Sequence, residues 1–436
     1  MFYKWALILA SLLVPATISA MSLTRALEVA GQEAVTLRAL AAETRQAEAV
    51  RQQSRQAWLP SVSADASWLR ADSSLITGVP VPALGIPPTL QRTDFGPVEG
   101  TVTGVQVVQP LFNADAIRLR HAASLKVEAR RHAEQWGQQA IRLEVARLYF
   151  SFHRARKQVG ATRTALDAAT KATELAHSSY QQGLASRLDT EQADAELAAI
   201  DARLEQTQAN RQQAGLELKS LLGMAPEQAL ELSTSLPRPS PPVGLETVLP
   251  RKDLRARQTA VEAAHADTRA SEAEWFPKVN LLARHQWVEG NEPLAGDTDG
   301  WLVAINLQWT IFDGFGRQGR IAESRAKEHK AQTELEGVRR RIQQEQAIAM
   351  SRWQASWAGW HAALRATEAA GRAERLALRR YEEGVGSMTD LLAAQARLDR
   401  QRMTLIDARY QAVLTSMNYY LQNGYDPILA IQAQLP

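Results

Sequence analysis

The chain has 436 residues, and its 50 Lys and Arg nearly balance its 47 Asp and Glu, for a formal net charge of +3. Such a small charge gives no reason to expect nucleic acid as a partner. The lack of cysteine excludes disulfides, thiolate metal sites, a cysteine nucleophile and a lipid-modified cysteine. The eight histidines show no metal-ligand spacing, and no nucleotide-binding loop or hydrolase serine motif occurs. The composition therefore argues against an enzyme, and we expect no cofactor and no metal.

The first twenty residues have the pattern of a secretory signal peptide. Lys4 supplies a positive charge, Ala6 to Val14 form a short apolar run, and Ile18-Ser19-Ala20 offers small residues for cleavage. We expect residues 1–20 to be removed, with cleavage near Ala20. No later apolar stretch reaches about 18 residues, so we expect no transmembrane helix. An uncleaved anchor is the alternative for this segment.

The distribution of proline predicts two very long helical regions. Proline is absent between Pro110 and Pro226, and again between Pro293 and Pro427. Both stretches are rich in Ala, Leu, Gln, Arg and Glu, which are strong helix formers. A continuous helix from Ala114 to about Gln182 would be about 100 Å long, more than a compact globule needs. The pattern is typical of a coiled coil or an extended bundle.

Strand signals occur where the prolines cluster. Residues 301–311 alternate between a large apolar face and a smaller or more polar face, over about the length of a tilted transmembrane strand. Residues 100–109 are a weaker copy, and residues 60–70 and 277–287 are the expected hairpin partners. Turn-rich loops, at 72–97 and 289–300, would join the strands of each pair.

Tryptophan is concentrated around these strands. Six tryptophans lie in or beside the predicted strands, namely Trp58, Trp68, Trp275, Trp287, Trp301 and Trp309. That concentration is typical of aromatic side chains at the two interfaces of a membrane. A soluble β-subdomain with tryptophans in its core is the alternative.

The chain repeats itself, with the order of the motifs kept. Ala57-Trp58-Leu59-Pro60 is echoed by Glu274-Trp275-Phe276-Pro277, and Pro110-Leu111-Phe112-Asn113 by Thr310-Ile311-Phe312-Asp313. A third motif, Tyr-x-x-Gly-x-x-Ser-x-x-Asp, begins at Tyr180 and again at Tyr381.

This duplication predicts the domain organisation. Each half is expected to run helix, strand, strand, long helix, helix, over residues 21–224 and 251–424. A Pro-rich linker at 225–250 would join the halves, and residues 425–436 would form a C-terminal tail.

Four strands per chain cannot close a barrel, because roughly eight are the minimum and open edges cannot face lipid. Other copies of the chain must therefore complete the β part. A ring of three copies would supply twelve strands, although composition alone does not determine the number three.

The signal peptide, the duplicated halves and the two Tyr-x-x-Gly-x-x-Ser-x-x-Asp turns together resemble the outer-membrane efflux proteins of the TolC family. The resemblance covers essentially the whole mature chain. It implies a mainly α fold with a transmembrane β part. Long antiparallel helical hairpins would form an α-barrel, and four strands per chain would join the twelve-stranded β-barrel of a homotrimeric channel-tunnel.

The resemblance also implies a location and partners. The β-barrel would lie in the lipid of the cell outer membrane, and the helices would extend into the periplasm. The trimer would serve as a passive exit duct for an inner-membrane pump, proton-driven or of the ABC type, with a periplasmic adaptor (membrane fusion) protein. Drug efflux and type I secretion both fit, and the cargo stays open.

The resemblance places a periplasmic gate at the two repeated turns. Tyr381 corresponds to the gate tyrosine, Asp189 to its hydrogen-bonding partner, and Asp390 to a carboxylate that lines the constriction. Three copies of Asp390 around a narrow opening would together attract cations. A Tyr–Asp hydrogen bond would contribute roughly 1.5 to 3 kcal/mol. Helix N-capping is the alternative role of both aspartates, and the two roles are compatible.

The sequence departs from the family at two gate positions. The gate arginine of the best-known members falls at Gly386, and their second ring aspartate falls at Ala393, which puts a second lock and a second acidic ring in doubt. Arg187 could supply a substitute cation. The turns carry glycine and serine at matching positions, namely Gly183, Ser186, Gly384 and Ser387.

Two other classes of protein compete with this interpretation. A periplasmic coiled-coil adaptor or structural protein without a pore would share the long helices, but it would lack paired strands of membrane length with aromatic ends. An exported hydrolase would need a histidine or carboxylate constellation, which the sequence does not offer.

Overall fold

A computed structural model describes residues 20–72, 97–242, 248–290 and 297–432. Residues 1–19 of the predicted signal peptide, most of the first predicted strand loop, half of the second, part of the linker and the last residues of the tail lie outside these ranges. The chain forms two compact units. We call Met1–Ala42, His132–Leu254 and Val338–Pro436 the hairpin unit, and Glu43–Arg131 with Arg255–Gly337 the sheet unit. Each unit takes residues from both halves of the duplication.

The described residues contain seven α-helices, and the first half has two of them before its strands where the duplication predicts one. The first half contains α1 (Leu23–Glu33), α2 (Val35–Gln53), α3 (Ala114–Gln181) and α4 (Arg187–Leu221). The second half contains α5 (Lys252–Glu272), α6 (Gly316–Glu382) and α7 (Met388–Gln422). With 68 and 67 residues, α3 and α6 are each about 100 Å long. The two long helices predicted from the proline-free stretches are confirmed.

Across the described helices, none is both long enough and apolar enough to cross a bilayer.

In the sheet unit, the described residues form four antiparallel strands of one sheet, in the order β1-β2-β3-β4. Their bounds are Ser61–Asp72 for β1, Pro97–Phe112 for β2, Lys278–Gly290 for β3 and Thr298–Gln308 for β4. The register sets Val62 opposite Val107, Thr103 opposite Trp287 and Ala283 opposite Val303. The β2–β3 pair therefore joins the two halves of the duplication, and β1 and β4 are the edges of the sheet.

The last strand ends earlier than its alternating pattern predicts. β4 stops at Gln308, opposite Lys278, the first residue of β3, so the residues beyond it have no partner in the ladder. Arg317 instead donates to the carbonyl oxygen of Thr310 at 2.6 Å, and the Trp309 indole N–H donates to the carbonyl oxygen of Trp275 at 3.1 Å. The prediction of a strand through Ile311 is therefore wrong by three residues.

The core of the hairpin unit lies where α1, α3, α4 and α7 meet. Its largest fully buried side chains include Leu23, Tyr149, Phe150, Leu218 and Met417. The Tyr149 hydroxyl donates to the carbonyl oxygen of Met21 at 2.8 Å and accepts from the backbone N–H of Thr234 at 3.0 Å. Burying each large apolar side chain contributes about 1.5–3 kcal/mol, and this core holds the ends of the helical hairpins together.

Candidate functional site

The turn between α3 and α4 is built by a glycine and a capping box. Gly183 has a φ of 74°, a conformation that glycine adopts without strain. Ser186 is the N-cap of α4, and its hydroxyl oxygen accepts from the backbone N–H of Asp189 at 3.3 Å. The Asp189 carboxylate accepts in return from the backbone N–H and the hydroxyl of Ser186, at 2.9 and 2.7 Å. Capping therefore occupies this carboxylate.

The matching turn between α6 and α7 is built differently at its acidic residue. Gly384 has a φ of 73°, and the Ser387 hydroxyl oxygen accepts from the backbone N–H of Asp390 at 3.1 Å. The Asp390 carboxylate makes no hydrogen bond or ion pair with any described residue. Ser387 alone caps α7, so the Asp390 carboxylate remains free to interact with solvent or with another copy of the chain.

The structure brings the two turns together in the hairpin unit. Met388 and Leu391, from the start of α7, are fully buried against Ala176 of α3 and Ala193 of α4. The Thr389 hydroxyl donates to the amide oxygen of Gln192 at 3.1 Å. The helix ends that carry the predicted gate residues therefore form one packed cluster.

Tyr381 and Asp189 do not make the expected hydrogen bond within this chain. The Tyr381 hydroxyl oxygen is buried and has no hydrogen-bond partner among the described residues. The Asp189 carboxylate is held by Ser186 instead. Arg187 has a side chain that is 81% exposed, and its guanidinium Nε lies 3.5 Å from Glu191 Oε1.

The geometry around Gly386 explains the departure at that position. A Cβ added to Gly386 would lie 3.0 Å from Arg380 Cβ and 3.1 Å from the backbone nitrogen of Tyr381. Both contacts are tighter than ordinary van der Waals packing, so an arginine here would displace the end of α6. The residue at this position is therefore small for a local steric reason.

The six predicted interface tryptophans fall into two groups in the sheet unit. Trp58 and Trp275 directly precede β1 and β3, and Trp309 follows β4, so these three share the end of the sheet that joins the helices. Trp68, Trp287 and Trp301 lie towards the other end, as the register shows. Trp301 is 79% exposed.

Sequence reasoning missed a buried ion pair further along the hairpins. The Asp399 side chain of α7 is only 5% exposed, and its Oδ2 lies 2.5 Å from Arg203 Nη1 of α4. Burial raises the pKa of the Asp399 carboxyl, and the facing Arg203 guanidinium opposes that rise. The partners are 196 residues apart, so no local spacing could have paired them.

A buried arginine just before α5 was missed for the same reason. The Arg251 guanidinium lies 2.7 Å from Asp253 Oδ2 and 2.7 Å from Glu345 Oε2, with its side chain 4% exposed. It also lies 4.4 Å from the centre of the Trp136 ring. These contacts tie the end of the linker to α3, α5 and α6.

Comparisons with known proteins agree on one family. The model of the family described as "Outer membrane efflux protein" matches residues 26–224 and 246–418. Protein CyaE of Bordetella pertussis is 29% identical over 318 residues, which cover 69% of this chain and 65% of CyaE. Outer membrane protein OprJ of Pseudomonas aeruginosa is 24% identical over 323 residues, which cover 71% of this chain and 66% of OprJ. The matched parts therefore span just under two thirds of these two relatives.

A solved structure shows the same fold. The outer membrane protein VceC from Vibrio cholerae superposes with a TM-score of 0.77 at 20% identity, over 92% of this chain and 96% of that one.

Proposed function

Since the chain belongs to the outer membrane efflux protein family, we propose that it is the passive outer-membrane exit duct of a tripartite efflux or type I secretion system. The observation that carries this proposal is the four-stranded sheet. Its edge strand β4 exposes Val303, Ile305 and Leu307, with Ile305 70% exposed. Such a face is costly in water and suits lipid.

The spacing of the two tryptophan groups supports a membrane-spanning sheet. Twelve residues separate Trp275 from Trp287 and eight separate Trp301 from Trp309, or about 26–40 Å along a strand. Strands tilted by about 40° would then span about 20–30 Å, which brackets the apolar band of about 25 Å in barrel proteins. We therefore assign the tryptophans to the two membrane interfaces.

The free edges of the sheet support a trimer. Because β1 and β4 each have no partner strand on one side among the described residues, lipid exposure requires that other copies pair with them. Three copies would give the twelve-stranded barrel. The mature chain would begin after cleavage near Ala20 and would carry no lipid, since it has no cysteine.

We assign the gate to the packed turns of the hairpin unit. Three copies of Asp390 would form an acidic ring, because this carboxylate is free of the capping that occupies Asp189. The buried Tyr381 hydroxyl would find its partner only when copies assemble or the turn moves. Arg187 is exposed, and its guanidinium would take the place of the gate arginine that the best-known family members carry at the position of Gly386.

The energy for transport would come from partners, namely an inner-membrane pump and a periplasmic adaptor. The type of pump and the cargo are not determined by this chain. Deleting candidate pump genes one at a time and scoring export would identify both.

Single-channel conductance of the mature protein in a planar bilayer, measured beside Tyr381→Phe, tests the duct. We expect a small, cation-selective conductance that rises in the variant. A conductance that is unchanged in Tyr381→Phe would agree with the duct but would place the gate at other residues. Folded protein that forms no pore would overturn the proposal and favour the adaptor class.

A further inference from the structure

An open, cationic pocket lies in the sheet unit between the end of α2 and the start of α3. Its volume is about 480 Å³, and its lining includes Arg51, Arg55, Trp58, Arg120 and His121. The Arg120 guanidinium lies 4.0 Å from the centre of the Trp58 ring. This cation–π contact holds the guanidinium in place before any ligand arrives.

The arginines of this pocket have no carboxylate partner in the part of the chain that the structure describes. Within the described ranges, Arg51, Arg55 and Arg120 form no ion pair. The next cations along α3 behave differently, since Lys126, Arg130 and Arg131 each lie 2.6–2.7 Å from a carboxylate oxygen. Like charges around one open pocket repel one another, so the pocket favours an anion from outside the chain.

The second half of the duplication shows how the same place is neutralised. Arg320 occupies the position that matches Arg120, seven residues after the repeated Phe-Asn or Phe-Asp motif. The Arg320 guanidinium lies 2.6 Å from Glu274 Oε2 and 3.2 Å from Asp313 Oδ2. Here the protein supplies its own anions.

The first half has none of these anions at the matching positions. By the alignment of the repeats, Glu274 corresponds to Ala57 and Asp313 to Asn113. Glu272, which pairs with an arginine of α6 at 2.8 Å, corresponds to Arg55, so that a negative charge is replaced by a positive one. The two halves therefore share a fold but differ here in charge, and the uncompensated cations of the first half favour an anionic ligand from outside the chain.

We propose that this pocket binds the phosphate group of an anionic glycerophospholipid. Guanidinium groups bind phosphate oxygens through paired, charge-assisted hydrogen bonds. The pocket lies at the start of β1, since Trp58 in its lining is close in sequence to Ser61, the first residue of that strand. Ile117, which also lines the pocket, is 52% exposed. The inference rests on the proposed membrane placement of the sheet, which brings the pocket to the level of lipid headgroups.

Native mass spectrometry of the purified protein with added dioleoyl-phosphatidylglycerol tests the site. We expect R51Q/R55Q/R120Q to bind this lipid roughly tenfold more weakly than the wild type. The matched control K126Q/R130Q/R131Q also removes three cations from the sheet unit, but these are exposed and already paired, and it should bind as the wild type does.

A second variant tests the charge argument without removing a cation. Asn113→Asp grafts the carboxylate of the second half beside Arg120, and we expect it to weaken phosphatidylglycerol binding as well. Equal loss in the control variant, equal binding of phosphatidylcholine, or full competition by millimolar inorganic phosphate would each overturn the lipid assignment. A wild-type trimer that binds no phosphatidylglycerol would overturn it as well.

Conductance of the same preparation separates the two proposals. Protein that forms pores but binds no phosphatidylglycerol contradicts the lipid site alone. Protein that forms no pores contradicts the duct itself.

Discussion

The two acidic residues at the hairpin turns occupy equivalent positions and have different surroundings. The Asp189 carboxylate closes a capping box with Ser186, whereas the Asp390 carboxylate accepts no hydrogen bond from a described residue. A carboxylate used in a cap contributes to stability, and a free one near a pore contributes to its electrostatic field. Substituting each in turn should therefore separate the two effects.

Asp390→Asn should lower the cation selectivity of the pore and leave thermal stability nearly unchanged. Asp189→Ala should do the reverse, with a loss of about 1 kcal/mol from the cap of α4. Reversal potentials across a salt gradient and thermal unfolding of both variants measure the two effects. Unchanged ion selectivity in Asp390→Asn would place this residue off the pore axis.

His153 should make the stability of the hairpin unit depend on pH. Burial, together with Lys157, Arg409 and Arg156, lowers the pKa of His153 to about 4. In the unfolded chain the pKa is about 6.5, so between these two values the unfolded state binds more protons and stability rises with pH. The stability is full above about pH 6.5 and falls as the pH drops towards 4, by on the order of 1–3 kcal/mol for this half-buried group.

Replacing His153 with Leu should flatten this dependence. The measurement is the urea midpoint of the purified protein between about pH 4 and 7. His329→Leu is the control, because that side chain is exposed on α6. If His153→Leu and the wild type lose stability in parallel on acidification, the pH dependence arises from other groups.

At the scale of the elements, the two faces of β4 can be tested against each other. Ile305→Arg places a charge on the apolar face, at a cost of about 2–4 kcal/mol near the middle of a bilayer. Asn306→Arg adds the same side chain to the opposite face, where a polar residue already stands. We expect only the first variant to reduce the yield of trimer in the outer-membrane fraction. Normal trimer yield from Ile305→Arg would contradict the assignment of this face to lipid.

The elements were predictable to the extent that local rules decide them. Helix α3 runs from Ala114 to Gln181, close to its predicted end at Gln182, because proline and the Gly183 turn act within a few residues. The end of β4 depends on where β3 begins, a pairing that the alternation of Trp309 and Ile311 cannot show. Long-range pairing therefore overrode the local pattern there.

The candidate site was likewise predictable where a local motif decides it, and it was not predictable where residues distant in the sequence meet. The turn glycines and serines were found from a short motif, and so were the tryptophans beside the strands. The Arg203–Asp399 pair depends on two helices that meet far apart in the sequence, and no spacing rule finds it. The cationic pocket became visible only when the structure placed Arg51 and Arg120 in one pocket, where neither forms an ion pair with a described residue.

At the scale of the whole molecule, the duplication gives one four-stranded sheet, which a single chain cannot close into a barrel. Both halves contribute one strand pair, and the β2–β3 ladder joins them into one sheet whose two edges have no partner strand within the described ranges. Closing the edges within one chain would require a barrel too small to form. The proposed trimer therefore requires that β1 of one copy pair with β4 of the next.

Cysteine cross-linking tests this pairing in a chain that contains no cysteine of its own. Opposed residues of antiparallel strands have Cα atoms about 4.5–5.5 Å apart, which suits a disulfide. Ser63→Cys on β1, combined in turn with Ala304→Cys, Asn306→Cys or Gln308→Cys on β4, scans the register between copies. Because a closed ring joins every copy to the next, one of these pairs should give covalent trimers on oxidation.

The size of the cross-linked product discriminates between assemblies. A closed ring of three stops at the covalent trimer, whereas an open chain of copies gives a ladder of larger species. The single variant Ser63→Cys is the control, since one cysteine per copy can at most join two copies. If every pair yields only monomer while the protein still forms pores, β1 and β4 do not meet between copies, and the barrel must close by another pairing.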